Sequence, residues 1–294
     1  MAPFHSGELA VQQRMGQAHI AERVGRMIAV EIPAVAADFL AAQPMVVLGA
    51  ADTAGQLWAS QLVGPPGFVR VYDDETVTVA AEFEPEDPLR EALGRPNRIG
   101  MIALQPQRRR RMRLNGRAEP MTGGLRIATD QVYSNCPKYI SRRQIESYAP
   151  QAARWRHGTE LDAAQQAAIA AADTFFIASA DIDGNADASH RGGNPGFLQV
   201  LSPTRLRWPD YQGNSMFMTL GNLAVNPRCG LLIPDWTTGS ALQLTGTAEL
   251  NWESGTFAAG SQCSIDFTLT EIIESRGPLR WGPAELSPVN PAVE

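Results

Sequence analysis

Residues 46–79 align without a gap on residues 175–208, residue n pairing with residue n + 129. Identical pairs are Ala51/Ala180, Asp52/Asp181, Gly55/Gly184, Ala59/Ala188, Ser60/Ser189, Gly64/Gly193, Pro66/Pro195, Gly67/Gly196, Phe68/Phe197 and Val71/Val200. After one residue of slippage the correspondence resumes, with Gly100 on Gly230 and LNGRAE (114–119) on LTGTAE (244–249). Solenoid repeats run about 20–50 residues; this period is instead close to a small domain. The chain reads as two copies of one domain, and chemistry kept in one copy can be lost from the other.

Each copy reads as about six short strands with small helices. In the first, MVVLGAAD (45–52), a DTAG turn and QLWASQLV (56–63) form a hairpin, followed by strands around a DDE turn. The second repeats the order from FFIASADIDG to FTLTEIIES. Hairpins with turns every 8–12 residues indicate a closed or half-closed antiparallel barrel. Helices are expected within 7–30, over 33–43, over 84–93 and over 161–174, with a short one at LAVNP after a TLGN turn. The fold class is mainly β, a β-barrel with peripheral helices. Its parts are an N-terminal helical segment (1–44), a first domain (45–150), a linker and helix (151–174) and a second domain (175–294).

A net charge of −6 argues against nucleic acid or an anionic membrane as partner. Cys136, Cys229 and Cys263 form no CxxC pair, and His5, His19, His157 and His190 show no metal spacing, so no metal is expected. No apolar run approaches the roughly 20 residues of a membrane span, and a signal pattern is lacking, so the location expected is cytoplasmic. Of the 25 basic residues only Lys138 is lysine, which coding bias toward arginine accounts for.

The copies differ where chemistry would sit. WASQLVGPPGF (58–68) becomes DASHRGGNPGF (187–197), so Gln61, Leu62 and Val63 give way to His190, Arg191 and Gly192. An arginine among glycines can grip a phosphate or carboxylate; the alternative is a flexible charged loop. Thr219, Gly221 and Asn222 would offer donors where a helix begins, whereas the first copy has Glu82, Glu84, Glu86 and Asp87 in that region. One anion site per chain follows. RRRRMR (108–113) admits three readings: a solvated edge strand, an arginine reaching a ligand held by the second copy, or a nucleic-acid patch. NCPKYISRR (135–143) would hold Asn135, Lys138 and Tyr139 on a turn, either structural or functional. No GxSxG, Walker or Rossmann pattern is present.

ADASHRGGNPGF, WPDYQGNSMFMTLGNL, NPRCGLLI and LQLTGTAEL together resemble the pyridoxamine 5′-phosphate oxidase-like family of FMN-binding split β-barrels; FHSGELAVQ, LNGRAE and NCPKYI resemble a long tandem branch of it. The resemblance implies two tandem split β-barrel domains forming an internal pseudo-dimer, itself able to form a homodimer, with FMN at the interface. It implies a cofactor site of Ser189, His190, Arg191 and Gly193, with Thr219 and Asn222 at the following helix. Met218 would lie along the isoalloxazine edge and Gln243 would face the flavin, with Lys138 and Tyr139 closing the site. The implied activity is a flavoprotein oxidoreductase fed by a small-molecule donor such as NAD(P)H; the alternative is a flavin carrier or sensor without turnover. The C-terminal LRWGPAELSPVNPAVE lacks the family's Arg-x-His segment for substrate phosphate, so pyridoxamine phosphate oxidation is not expected. TLGNL stands where the family has Ser-Arg-Lys.

Overall fold

The computed structural model describes residues 3–134, 136–149, 154–253 and 258–293. Three helices, α1 (Ser6–Arg14), α2 (Ala18–Gly25) and α3 (Ala34–Ala41), precede the first sheet. That sheet contains β1 (Met45–Ala51), β2 (Leu57–Val63), β3 (Val69–Asp73), β4 (Thr76–Val79), β5 (Asn97–Gln105), β6 (Arg110–Met121) and β7 (Gly124–Ser134), in the order β2-β1-β5-β6-β7-β4-β3. Beyond it lie β8 (Ile145–Tyr148), β9 (Arg156–Gly158) and α4 (Ala163–Ala171). The second sheet contains β10 (Thr174–Ala180), β11 (Ala186–Gly192), β12 (Gln199–Ser202), β13 (Arg205–Tyr211), β14 (Arg228–Pro234), β15 (Ser240–Asn251) and β16 (Ser261–Arg276). Its order is β11-β10-β14-β15-β16-β13-β12, strand for strand that of the first sheet, with β9 added on β16. α5 (Met218–Val225) lies between β13 and β14, and β17 (Leu279–Trp281) pairs with β8.

The residues shared by the two copies have local causes. Asp52 Oδ1 accepts the N–H groups of Ala54 and Gln56 at 2.9 Å, and Asp181 Oδ1 accepts those of Asp183 and Asn185 at 2.9 Å. Each aspartate thereby closes its hairpin turn. Gly100 and Gly230 serve the packing of the halves: a Cβ on Gly100 would lie 2.3 Å from the Ala188 nitrogen, and one on Gly230 2.4 Å from the Leu57 oxygen. β5 thus rests on the edge strand β11 of the second sheet, and β14 on the edge strand β2 of the first. Between the sheets lies an apolar layer that includes Val47, Ile102, Phe176, Leu232 and Trp281. Separate cores fill each half, around Trp58, Leu48 and Ile99 in the first and Trp208, Phe175 and Phe267 in the second.

Several expectations are corrected. Each sheet has seven strands along this path where about six were expected, and β9 makes an eighth in the second. No helix forms over 84–93, only a 3-10 turn at Ala92–Gly94. Pro85 and Pro88 remove two backbone donors there, and Asp87 Oδ1 accepts from the N–H of Leu89, capping a turn instead. TLGN is not a turn but the first part of α5. The arginine-rich β6 is not an edge strand; it lies between β5 and β7. α1 packs across the chain onto the second half: Val11 joins that core and Gln12 Nε2 donates to the Met216 oxygen at 3.0 Å.

Candidate functional site

β6 crosses behind β11 with its side chains alternating. Met112 and Leu114 enter the first core, so Arg111 and Arg113 turn to the other face, toward the second half. There they meet His190 and Arg191 of β11 and the start of α5, around a cavity of about 80 Å³ also lined by Tyr139 and Tyr211. The start of α5 has no side-chain cap, because Phe217 takes the N-cap place in a left-handed conformation (φ 58°). Its first N–H groups therefore lack the usual side-chain partner. Gly192 is needed for closure, since a Cβ there would lie 2.0 Å from the Tyr139 oxygen; the first copy has Val63 instead.

Arginine can only donate, so the 2.8 Å contact from Arg111 Nη1 makes His190 Nδ1 the acceptor and leaves the ring proton on Nε2. Among the described residues that Nε2 is buried without a partner, as are the Nε atoms of Arg111, Arg113 and Arg191, Tyr211 OH and Asn214 Nδ2. Burial, with Arg113 and Arg191 adding repulsion, brings the Arg111 guanidinium down to about 9. Burial and then Arg111 push the His190 imidazole well below its usual range, so the ring is neutral. Burial also lowers Arg191, which Asp210 offsets from 3.4 Å. Crowded guanidiniums and orphaned donors with few acidic partners among the described residues suit an anion.

The structure brings His190, Arg191, Met218, Thr219 and Tyr139 to this cavity. Thr219 Oγ1 donates to Ser189 Oγ at 3.0 Å directly behind it. Tyr139 is set by a left-handed backbone (φ 64°), by donation from its OH to the Gln212 oxygen at 3.0 Å, and by the Tyr211 ring at 5.3 Å. Four sequence-predicted residues lie elsewhere. Gly193 sits under the Phe197 ring, 2.5 Å from where its Cβ would be, as Gly64 does under Phe68. Asn222 is held between His5, which donates to its Oδ1 at 2.9 Å, and Ser179 Oγ, to which its Nδ2 donates at 3.0 Å. Lys138 is half-buried in its turn and does not line the cavity. Asn135 lies outside the described residues.

Gln243 is the most instructive of the four. Its place on β15 corresponds to Arg113 on β6, and its Nε2 donates to Ser60 Oγ at 2.8 Å and to Asp87 Oδ2 at 3.4 Å. Ser60, the counterpart of Ser189, donates to Asp87 Oδ1 at 2.9 Å. The first half therefore repeats the geometry with its own carboxylate inside, while Ala241, Gln61 and Leu62 replace Arg111, His190 and Arg191. Sequence reading left open which arginine of 108–113 reaches across; Arg111 and Arg113 both do. It missed Asp187, Asp210 and Tyr211, which are buried on β11 and β13 and carry no local spacing signal.

Met218 also borders a second, inter-domain cavity of about 610 Å³, lined by His5, Glu8, Asn115, Asp187 and Asn222. Tyr133 OH donates to Asp187 Oδ1 at 3.4 Å, while Asp187 Oδ2 and Asn115 Oδ1 are buried without donors among the described residues. Among the described residues no group of His, Cys, Asp and Glu could hold a metal ion, and no helix is long and apolar enough to cross a membrane.

Two antiparallel sheets of the same strand order thus enclose one arginine-lined cavity with residues from both halves. Residues 161–272 match the family model described as pyridoxamine 5′-phosphate oxidase. No curated protein matches the chain. Similar solved structures include a candidate pyridoxamine 5′-phosphate oxidase from Lactobacillus delbrueckii, 16% identical over 39% of this chain and 94% of that one, with a TM-score of 0.33. An FAD-binding protein from Mesorhizobium loti is 12% identical over 43% and 100%, with a TM-score of 0.30. An FMN-binding protein from Syntrophomonas wolfei is 8% identical over 37% and 81%, with a TM-score of 0.29.

Proposed function

We propose that the chain is an FMN-binding flavoprotein with one site, its phosphate end held in the arginine cavity, and that it works as an oxidoreductase. The observation that carries this is the convergence of Arg111 and Arg113 from one half with His190 and Arg191 from the other, with donors unpaired and Asp210 alone in salt-bridge range among the described residues. At about 80 Å³ the cavity suits an anionic group rather than a whole cofactor, since small-molecule sites span roughly 300–1,000 Å³. The 610 Å³ cavity across Met218 supplies the remaining volume.

Bound flavin would supply the redox chemistry, accepting a hydride from a reduced donor such as NAD(P)H. The chain's own residues do the rest. Arg111, Arg113 and Arg191 compensate the phosphate charge; neutral His190 donates its Nε2 proton; Tyr139 and Tyr211 wall off water. The Ser189–Thr219 pair fixes the strand against α5. Tandem duplication, with the first site filled by Asp87, accounts for one site per chain.

Titration of the purified protein with FMN, followed by quenching of flavin fluorescence, tests the reading. Saturable one-to-one binding is expected, and a protein that neither carries nor takes up FMN refutes it. Bleaching of the bound flavin by NADH or NADPH supports turnover, whereas a yellow protein inert to donors is a carrier or sensor.

A further inference from the structure

α3 and the β5–β6 turn frame a groove of about 510 Å³, and the corresponding α4 and β14–β15 turn frame one of about 420 Å³ in the second half. The architecture is the same but the chemistry is opposite. The second groove is lined by alanines of α4 and carries Asp173, Asp235 and Glu274; its arginines are neutralised, Arg143 by Asp173 at 2.8 Å and Arg156 by Glu274. The first has a floor of Phe39, Met112 and Val132, with Met27 (58% exposed) and Val35 (66%) on its lip. Arg108, Arg110 and Arg111 border it, with Glu31 the lone acid in its lining.

Arg108 and Arg110 are not consumed by the fold in the way Arg109 is. Arg109 donates to the Ile140 and Leu286 oxygens and to Glu285. Arg110 only lies over the Phe39 ring, 5.2 Å from its centre. Arg108 has no hydrogen-bond or ion-pair partner among the described residues. Where Arg108, Arg110 and Arg111 stand, the second half has Thr238, Ser240 and Ala241, so the basic rim is not a requirement of the turn. Met27 and Val35 stand at the mouth of a concavity whose volume of about 510 Å³ falls within the range of small-molecule sites, which suits a small ligand.

We propose that this groove binds an amphiphilic carboxylate, its apolar chain on the Phe39–Val35 wall and its head group among Arg108 and Arg110. The proposal does not rest on the flavin reading. The groove is a site separate from the arginine cavity, although Arg111 borders both.

Calorimetric titration of the full chain with dodecanoate, below its micelle concentration, tests it. Dodecyltrimethylammonium and dodecanol serve as charge controls, and each titration is run with and without saturating FMN. One-to-one binding of dodecanoate alone is expected, unchanged by FMN and weakened roughly tenfold or more in R108E/R110E, the loss of two rim charge contacts. Val35→Asp, on the exposed lip, should weaken it without altering FMN uptake. Equal binding of the alcohol or the cation would overturn the proposal, as would competition by FMN or no dodecanoate binding by a folded protein. Gel filtration adds another arm: a dimer that V35D converts to monomer, with no dodecanoate binding, would make the groove a self-association face instead.

Discussion

Glu8 is 3% exposed, lines the inter-domain cavity, and accepts the His5 N–H at 2.8 Å as the first turn of α1 closes. Burial, with Asp187 and Asp181 adding repulsion, raises its carboxyl from 4.5 to about 8. In the folded protein it is therefore protonated at neutral pH, while in the unfolded chain it is ionised. A folded value above the unfolded one means that its contribution is fully present below pH 4.5 and is lost as pH rises to about 8. At 1.36 kcal/mol per pH unit, the loss over that window is about 5 kcal/mol. Glu8→Gln keeps an oxygen for the His5 N–H and cannot ionise. Urea unfolding of both proteins from pH 5 to 9 should show the variant more stable by an amount that grows with pH, reaching about 4 kcal/mol near pH 7.5 and levelling above pH 8. Parallel stability curves, or a variant weaker at every pH, would refute the reasoning.

Arg191→Ala should weaken FMN retention by about a hundredfold, because a buried charged contact is worth roughly 2–5 kcal/mol; unchanged affinity in the fluorescence titration would remove the phosphate assignment. Asp87→Asn should leave FMN binding intact and raise stability at pH 8, since burial lifts the Asp87 carboxyl from 3.8 to about 6 and that contribution is lost as pH rises through the same window, about 3 kcal/mol in all. Urea midpoints at pH 5 and pH 8 check it, and equal gains at both would contradict it. Gly100→Ala and Gly230→Ala should each cost about 1–3 kcal/mol by overpacking where the halves cross, and a thermal midpoint unmoved by either would show that the close approach is dispensable.

How much was legible in the sequence follows from where each residue's partner lies. Asp52, Gly55 and the Pro-Gly-Phe turns act within a few residues of themselves, so composition and spacing expose them, and the repeat exposes them twice. α4 begins where Asp162 and Gln165 cap it, again a local signal. The arginine run is different. Its alternation was readable, but whether its outer face meets solvent depends on the second half, more than 70 residues away, and only the fold shows Arg111 at His190. Asn222 and Gln243 were assigned by position and turn out to be satisfied by partners distant in the chain, Asn222 by His5 and Ser179 and Gln243 by Ser60 and Asp87 of the half that has lost its cations. A sharper use of the repeat would have found this. Arg113 aligns with Gln243, Arg111 with Ala241 and Arg191 with Leu62, so the charged member of each pair always faces one cavity and the neutral member the other. Neither half forms an anion site alone, since Arg191 comes from the second and Arg111 and Arg113 from the first. The asymmetry between copies is therefore the composition of a single site, and the carboxylate of Asp87 is what its counterpart holds in place of a ligand.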